Sequence, residues 1–231
     1  MKTCTHLVLL ALLAGCAQSE NPLLGENNDP DLYLLGTWYF ATTDNNGTLV
    51  PGDSKEYFDV SLAGDSFVMN YHEEGKVTVF ELVTTRIGPS RFVSMRPVEW
   101  IGFEEGQPAN RDEAASCPWQ ILLYQTFMPD TLPNFDDNGQ AGSSDETIEP
   151  SAAAVREANE KLRGRLLFYQ LMDPDVIHVA IKQHDIAGSR KDTMSSPCIM
   201  ASSDQLQSFI AGHRDEIYTG EEWFPAVRAT D

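Results

Sequence analysis

His178, Lys182 and His184 fall at offsets of four and two in the run Val176 to His184, one face of a strand, and two imidazoles on one side of a segment are the groups that hold a transition metal. Read as a strand, that run separates the histidines by six residues, about 20 Å, a gap that no single ion spans. A solvated face is the better reading. Asp136-Asp137-Asn138-Gly139 supplies hard oxygens and a glycine, as a calcium loop does, but lacks the alternate-residue ligand spacing and the closing Glu. The stretch 130–150 therefore reads as an acidic loop, with calcium as the open alternative. Neither Cys117 nor Cys198 has a second Cys or a His within two to five residues, as zinc and thioredoxin-like sites require. There is no G-x-S-x-G elbow, glycine-rich phosphate loop or H-E-x-x-H pair. His72, His178, His184 and His213 are scattered, and Glu73-Glu74 and Glu221-Glu222 read as solvated turns in so acidic a chain. The expectation is a non-catalytic protein with no metal ligand and no cofactor; an envelope hydrolase with its site between the insertion 104–164 and the mouth of the β domain stays open as an alternative.

The elements that would position a site are mostly strands. Leu34 to Thr43, Glu56 to Ala63 and Ser66 to His72 alternate apolar and polar residues, which puts Trp38 and Phe40, then Phe58, Val60 and Leu62, then Phe67, Met69 and Tyr71 on single faces. Trp38, Phe40, Phe58, Phe67, Met69 and Tyr71 are thus the candidates to line an apolar pocket or to fill a core. Glycine-bearing joints at Ala63-Gly64-Asp65, Glu73-Glu74-Gly75 and Gly88-Pro89-Ser90 predict hairpin turns. Further strands are expected at Lys76 to Arg86, Phe92 to Trp100 and Trp119 to Phe127. Leu166 to Met172 and Val176 to His184 read as a hairpin turning at Asp173-Pro174-Asp175, and a short strand is expected at Cys198 to Ala201. Helical spacing predicts a helix over Ser151 to Arg163. A second helix follows a Ser202–Gln205 capping box and ends at Gly212. The aromatic tail, with Ile217, Tyr218, Trp223 and Phe224, reads as a packed extension.

With 42% apolar and 22% charged residues the chain is globular, and a formal charge of −19 excludes nucleic acid as a partner.

The N-terminus carries an address. One basic residue, Lys2, a seven-residue apolar core (Leu7 to Leu13) and small residues before a cysteine make a secretory signal too short to span a bilayer. Leu13-Ala14-Gly15-Cys16 resembles the bacterial lipobox. That resemblance implies that residues 1–15 are removed and that Cys16 carries three acyl chains, palmitate among them, anchoring the domain to a membrane. Ala17, where inner-membrane retention usually wants Asp, implies the outer membrane, leaflet open. Loss of Lys2 leaves a charge of about −20. Residues 16–31, rich in Asn, Asp and Pro, are expected to be a flexible tether of roughly 20 Å. With Cys4 discarded and Cys16 lipidated, Cys117 and Cys198 remain, and in an oxidising compartment they are expected to form a disulfide.

Gly36-Thr37-Trp38 is similar to the G-x-W signature of lipocalins and other calycins, in which the indole closes the barrel floor. The resemblance implies a single domain over 32–231: a mainly β, antiparallel, up-and-down barrel of eight or nine strands with an inserted helix and a C-terminal helix. Two features depart from it: no arginine of the last expected strand stacks on Trp38, and the insertion 104–164 is long. The implied partners are the membrane, through the lipid anchor, and either a small apolar ligand in the barrel or an envelope protein. A filled barrel serving structure or assembly is the alternative.

Overall fold

A computed structural model describes residues 17–25, 28, 31–43, 49–63, 66–103, 117–127, 166–189, 196–218 and 223–229. Eight antiparallel strands close on themselves: β2 (Gly36–Thr43), β4 (Glu56–Ala63), β5 (Ser66–Glu73), β6 (Lys76–Ile87), β7 (Ser90–Ile101), β8 (Trp119–Phe127), β9 (Leu166–Leu171) and β12 (Phe224–Arg228). Each pairs with the next in this order, and β12 returns to β2. The fold is the expected lipocalin-like barrel. Outside the ring, the short strands β10 (Gly188–Ser189) and β11 (Cys198–Ile199) are joined to β8 through β1 (Gln18–Ser19), and β3 (Leu49–Pro51) pairs antiparallel with the end of β2.

Local chemistry explains the hairpins. Glu74 and Gly75 both take positive φ, 49° and 83°, the requirement of a two-residue turn matched to strand twist. Between β6 and β7, Gly88 at φ 56° does the same ahead of Pro89. β7 carries one extra residue, Val98, opposite the Val79/Phe80 step, so that a bulge directly follows Pro97, the kind of place where a strand tolerates proline.

Alternation along the strands sorts the side chains into two cores. Trp38, Phe58, Phe67, Phe80, Leu82, Leu122 and Tyr169 fill the barrel. Phe92, Ile121 and Leu123 point outward from β7 and β8, and are covered by helices α1 (Pro174–Gln183) and α2 (Ser203–Ile217) through Ile177, Leu206, Phe209, Ile210 and Ile217.

Several expectations are corrected. Val176 to His184 is not the second strand of a hairpin but α1. Asp173 accepts hydrogen bonds from the Asp175 and Val176 amides, and Pro174 occupies the first turn, so the Asp-Pro-Asp run starts a helix. α2 has the expected Ser202–Gln205 capping box but continues past Gly212 to Ile217, with a non-helical His213 inside it. The tail is a barrel strand, β12; its Pro225 faces β9 alone, where β2 is not yet paired and no amide is missed. The Cys198 strand belongs to the outer annex rather than the barrel. Nor is 104–164 one insertion, since β8 within it is a barrel stave. Residues 17–25 are not a flexible tether: Ala17 and Leu23 are buried in the outer core. Cys16, the acidic loop 130–150 and the expected helix 151–163 lie outside the described residues.

Candidate functional site

The barrel floor is built around Trp38. It is fully buried, its ring is stacked on Phe58 at 6.5 Å, and its indole Nε1 donates to the Leu34 carbonyl at 2.8 Å. That carbonyl belongs to a 3-10 turn, Leu32–Leu34, which crosses the end of the barrel. Contrary to expectation, an arginine does sit over this indole: Arg228 of β12 is 6.0 Å from the Trp38 ring centroid, opposite it in register. Gly36 shows why the signature begins with glycine. At φ 119°, a Cβ there would lie 2.8 Å from the Arg228 guanidinium.

Asp31 locks the same end. Its side chain accepts from Arg91 Nη1 at 2.9 Å, from the Tyr124 hydroxyl at 2.6 Å and from the Tyr33 amide at 3.0 Å. The sequence-based tether ended at this residue, yet it is a cornerstone of the floor.

Above the floor lies a cavity of about 70 Å³ with an apolar wall. Of the six aromatic and methionine candidates, Phe40, Phe58, Met69 and Tyr71 line it; Trp38 and Phe67 belong to the packing around it. Val60, placed beside Phe58 by the same alternation, also lines it; sequence reasoning missed Leu34, Leu82, Val93, Met95, Leu122, Tyr124, Leu167 and Tyr169, which complete the wall. Most are the inward positions of β6 to β9, legible from the same alternation once the strands are known to close. The Tyr71 hydroxyl points to Glu56 at 3.4 Å, as that of Tyr124 does to Asp31, so the polar tips of both rings are engaged at carboxylates.

The histidines do not converge. His178 lies on α1 and His184 is its C-cap, in left-handed conformation at φ 66°. Among the described residues, no group of three or more His, Cys, Asp or Glu is placed to hold a metal ion. The Asp136 cluster lies outside them. Cys117 and Cys198 form a disulfide with Cα atoms 6.0 Å apart, as expected.

Burial raises the phenol pKa of Tyr71, Tyr124 and Tyr218 above the ordinary value. The nearby Glu73 and Glu56 add to it at Tyr71, and Asp31 adds to it at Tyr124. In the unfolded chain these phenols ionise near pH 10, so above that pH the unfolded state binds fewer protons than the folded one and stability falls as pH rises. The expected slope is about 1.4 kcal/mol per pH unit for each tyrosine that stays neutral in the fold. Urea midpoints that decline steeply above about pH 10, with a further rise in tyrosinate absorbance on unfolding as these three phenols are released, would bear this out; a flat profile would not.

The described fold and cavity define a small, closed, lipocalin-like barrel with its floor sealed and an apolar hollow inside. Comparison with protein-family models, curated proteins and solved structures finds no match for this chain.

Proposed function

We propose that the chain is a non-catalytic envelope lipoprotein, anchored to the outer membrane through an acylated Cys16, that takes a slender apolar ligand into its barrel. The observation that carries the ligand is the apolar cavity of about 70 Å³ lined by Phe40, Phe58, Met69, Met95 and their neighbours. Apolar cavities stay dry, and one of about 150 Å³ accepts a benzene ring, so the hollow here suits a thinner group such as a single alkyl chain. Met69 and Met95 supply the adaptability, because an unbranched thioether can rotate aside for a guest. The lipobox-like Leu13-Ala14-Gly15-Cys16 carries the location.

The narrowness of the cavity supports a second reading, a filled barrel that acts through its outer surface as a structural or assembly subunit with an envelope protein partner. One experiment separates them. Mature protein purified from its host is expected to retain apolar material in native mass spectrometry and to bind an environment-sensitive alkyl dye. Val93→Phe, which fills the cavity, should lower dye affinity about tenfold, roughly 1.4 kcal/mol; Met95→Ala should raise it. An empty protein whose dye response is indifferent to both substitutions overturns ligand binding and leaves the filled barrel. Separately, Cys16→Ser should release the protein from membranes; continued membrane association defeats the anchor reading.

A further inference from the structure

The residues that follow Cys16 are held by backbone and side chain from the first one onward. Ala17 is 2% exposed. The Gln18 amide donates to the Pro197 carbonyl at 2.9 Å and the Glu20 amide to Ile199 at 2.8 Å. Asn21 Nδ2 then donates to the Ala201 carbonyl, Ser203 Oγ donates to that of Pro22, and the Leu23 amide donates to Ser94 Oγ. At Gly25 the chain runs so close to β6 that a Cβ would lie 2.8 Å from the Arg86 carbonyl oxygen. β1 is inserted between β11 and β8, with Gln18 opposite both Cys198 and Gln120. The disulfide ties Cys198 of β11 to Cys117, two residues ahead of β8, and so joins the two segments that flank β1.

We propose that this grip makes the membrane attachment direct: the bilayer surface bears on the β10–β11–β1 annex with no spacer between lipid and fold. The proposal rests on the acylation of Cys16. A fifteen-residue coil would let the domain wander roughly 20 Å from the lipid. One peptide step to a buried residue allows about 4 Å. The barrel is therefore held close against the membrane, and its cavity stays near the acyl chains from which an apolar guest would come.

The test uses the mature acylated protein, beginning at Cys16, in vesicles of neutral phospholipid, beside a variant with a fifteen-residue Gly/Ser spacer inserted between Cys16 and Ala17. Both are exposed to a broad-specificity protease, with released fragments identified by mass spectrometry and amide exchange followed over 17–25. The wild type is expected to stay on the vesicles, uncut between 17 and 25 and with slow exchange there, while the spacer variant is released at least tenfold faster. Release of acylated wild type at the spacer variant's rate, by cuts within 17–25, overturns the proposal alone. An unacylated Cys16 and a protein absent from the vesicles before protease is added overturn the anchor reading and the proposal together, whatever the exchange of 17–25 shows.

Discussion

Replacing Trp38 with alanine is expected to lower stability by about 3–5 kcal/mol, the range for removing a large aromatic from a packed interior. Three contacts are lost together: the stack on Phe58, the indole hydrogen bond to Leu34 and the packing beneath Arg228. The Leu34 carbonyl is then left without its donor inside the floor, which adds to the cavity cost rather than replacing it. Trp38→Phe keeps a ring but not the N–H and should cost about 1–3 kcal/mol less than the alanine. With a urea slope of about 1–3 kcal/mol per molar, the alanine variant's midpoint should fall by at least about 1 M at unchanged slope. A loss below about 1 kcal/mol would mean that the floor relaxes around the gap and that the indole is not its keystone. The variant also enlarges the apolar interior, so alkyl dye binding should rise in the protein that remains folded.

The barrel was legible where one face of a strand meets the core and the other meets solvent or a second layer. On β2, β4 and β5 the period of two placed Trp38, Phe58, Val60, Phe67, Met69 and Tyr71 on the inward face, though Leu62 at the end of β4 is exposed; on β6 to β8 it marked strands without naming their inward residues, and Gly75 and Gly88 marked turns that need positive φ. Local pattern misleads where one signal serves two structures. Asp173-Pro174-Asp175 starts a turn or a helix equally well, and the β-branched run Val176 to Ile181 favours a strand by composition. The outer core decides, because Ile177 and Ala180 face it at helical spacing. Pro225 hid the closing strand, since proline argues against a central stave. Missing that strand meant missing Arg228 over Trp38. Residues 17–25 were misread for a related reason: what holds them is mainly hydrogen bonds to distant segments, which polar composition does not reveal.

The cavity was half legible. Alternation identified Phe40, Phe58, Met69 and Tyr71 as inward, but whether inward residues leave a hollow depends on the summed volumes of all eight strands. Four of those strands contribute Leu82, Met95, Leu122, Tyr124 and Leu167.

The disulfide carries the other large effect. Converting Cys117 and Cys198 together to alanine is expected to cost about 4–5 kcal/mol in the chain-entropy model, because the bridge joins residues 81 apart in sequence. The barrel itself closes through β8, β9, β12 and β2 without help from the bridge. Much of the benefit therefore lies in the unfolded chain, whose long connection between β8 and β9 falls inside the closed loop. The native-state share falls on the annex, where the bridge holds together the segments around β1. The two contributions separate experimentally. The entropic part should appear as a lower urea midpoint for the whole barrel, with a changed slope if the freed unfolded chain expands. Loss of the clasp should appear as faster amide exchange confined to 17–25 and 196–201 under conditions where β5 and β6 stay protected. A variant that unfolds globally at lower urea yet keeps the wild-type exchange of 17–25 would show that hydrogen bonding and burial alone hold β1, leaving the bridge to act only on the unfolded chain.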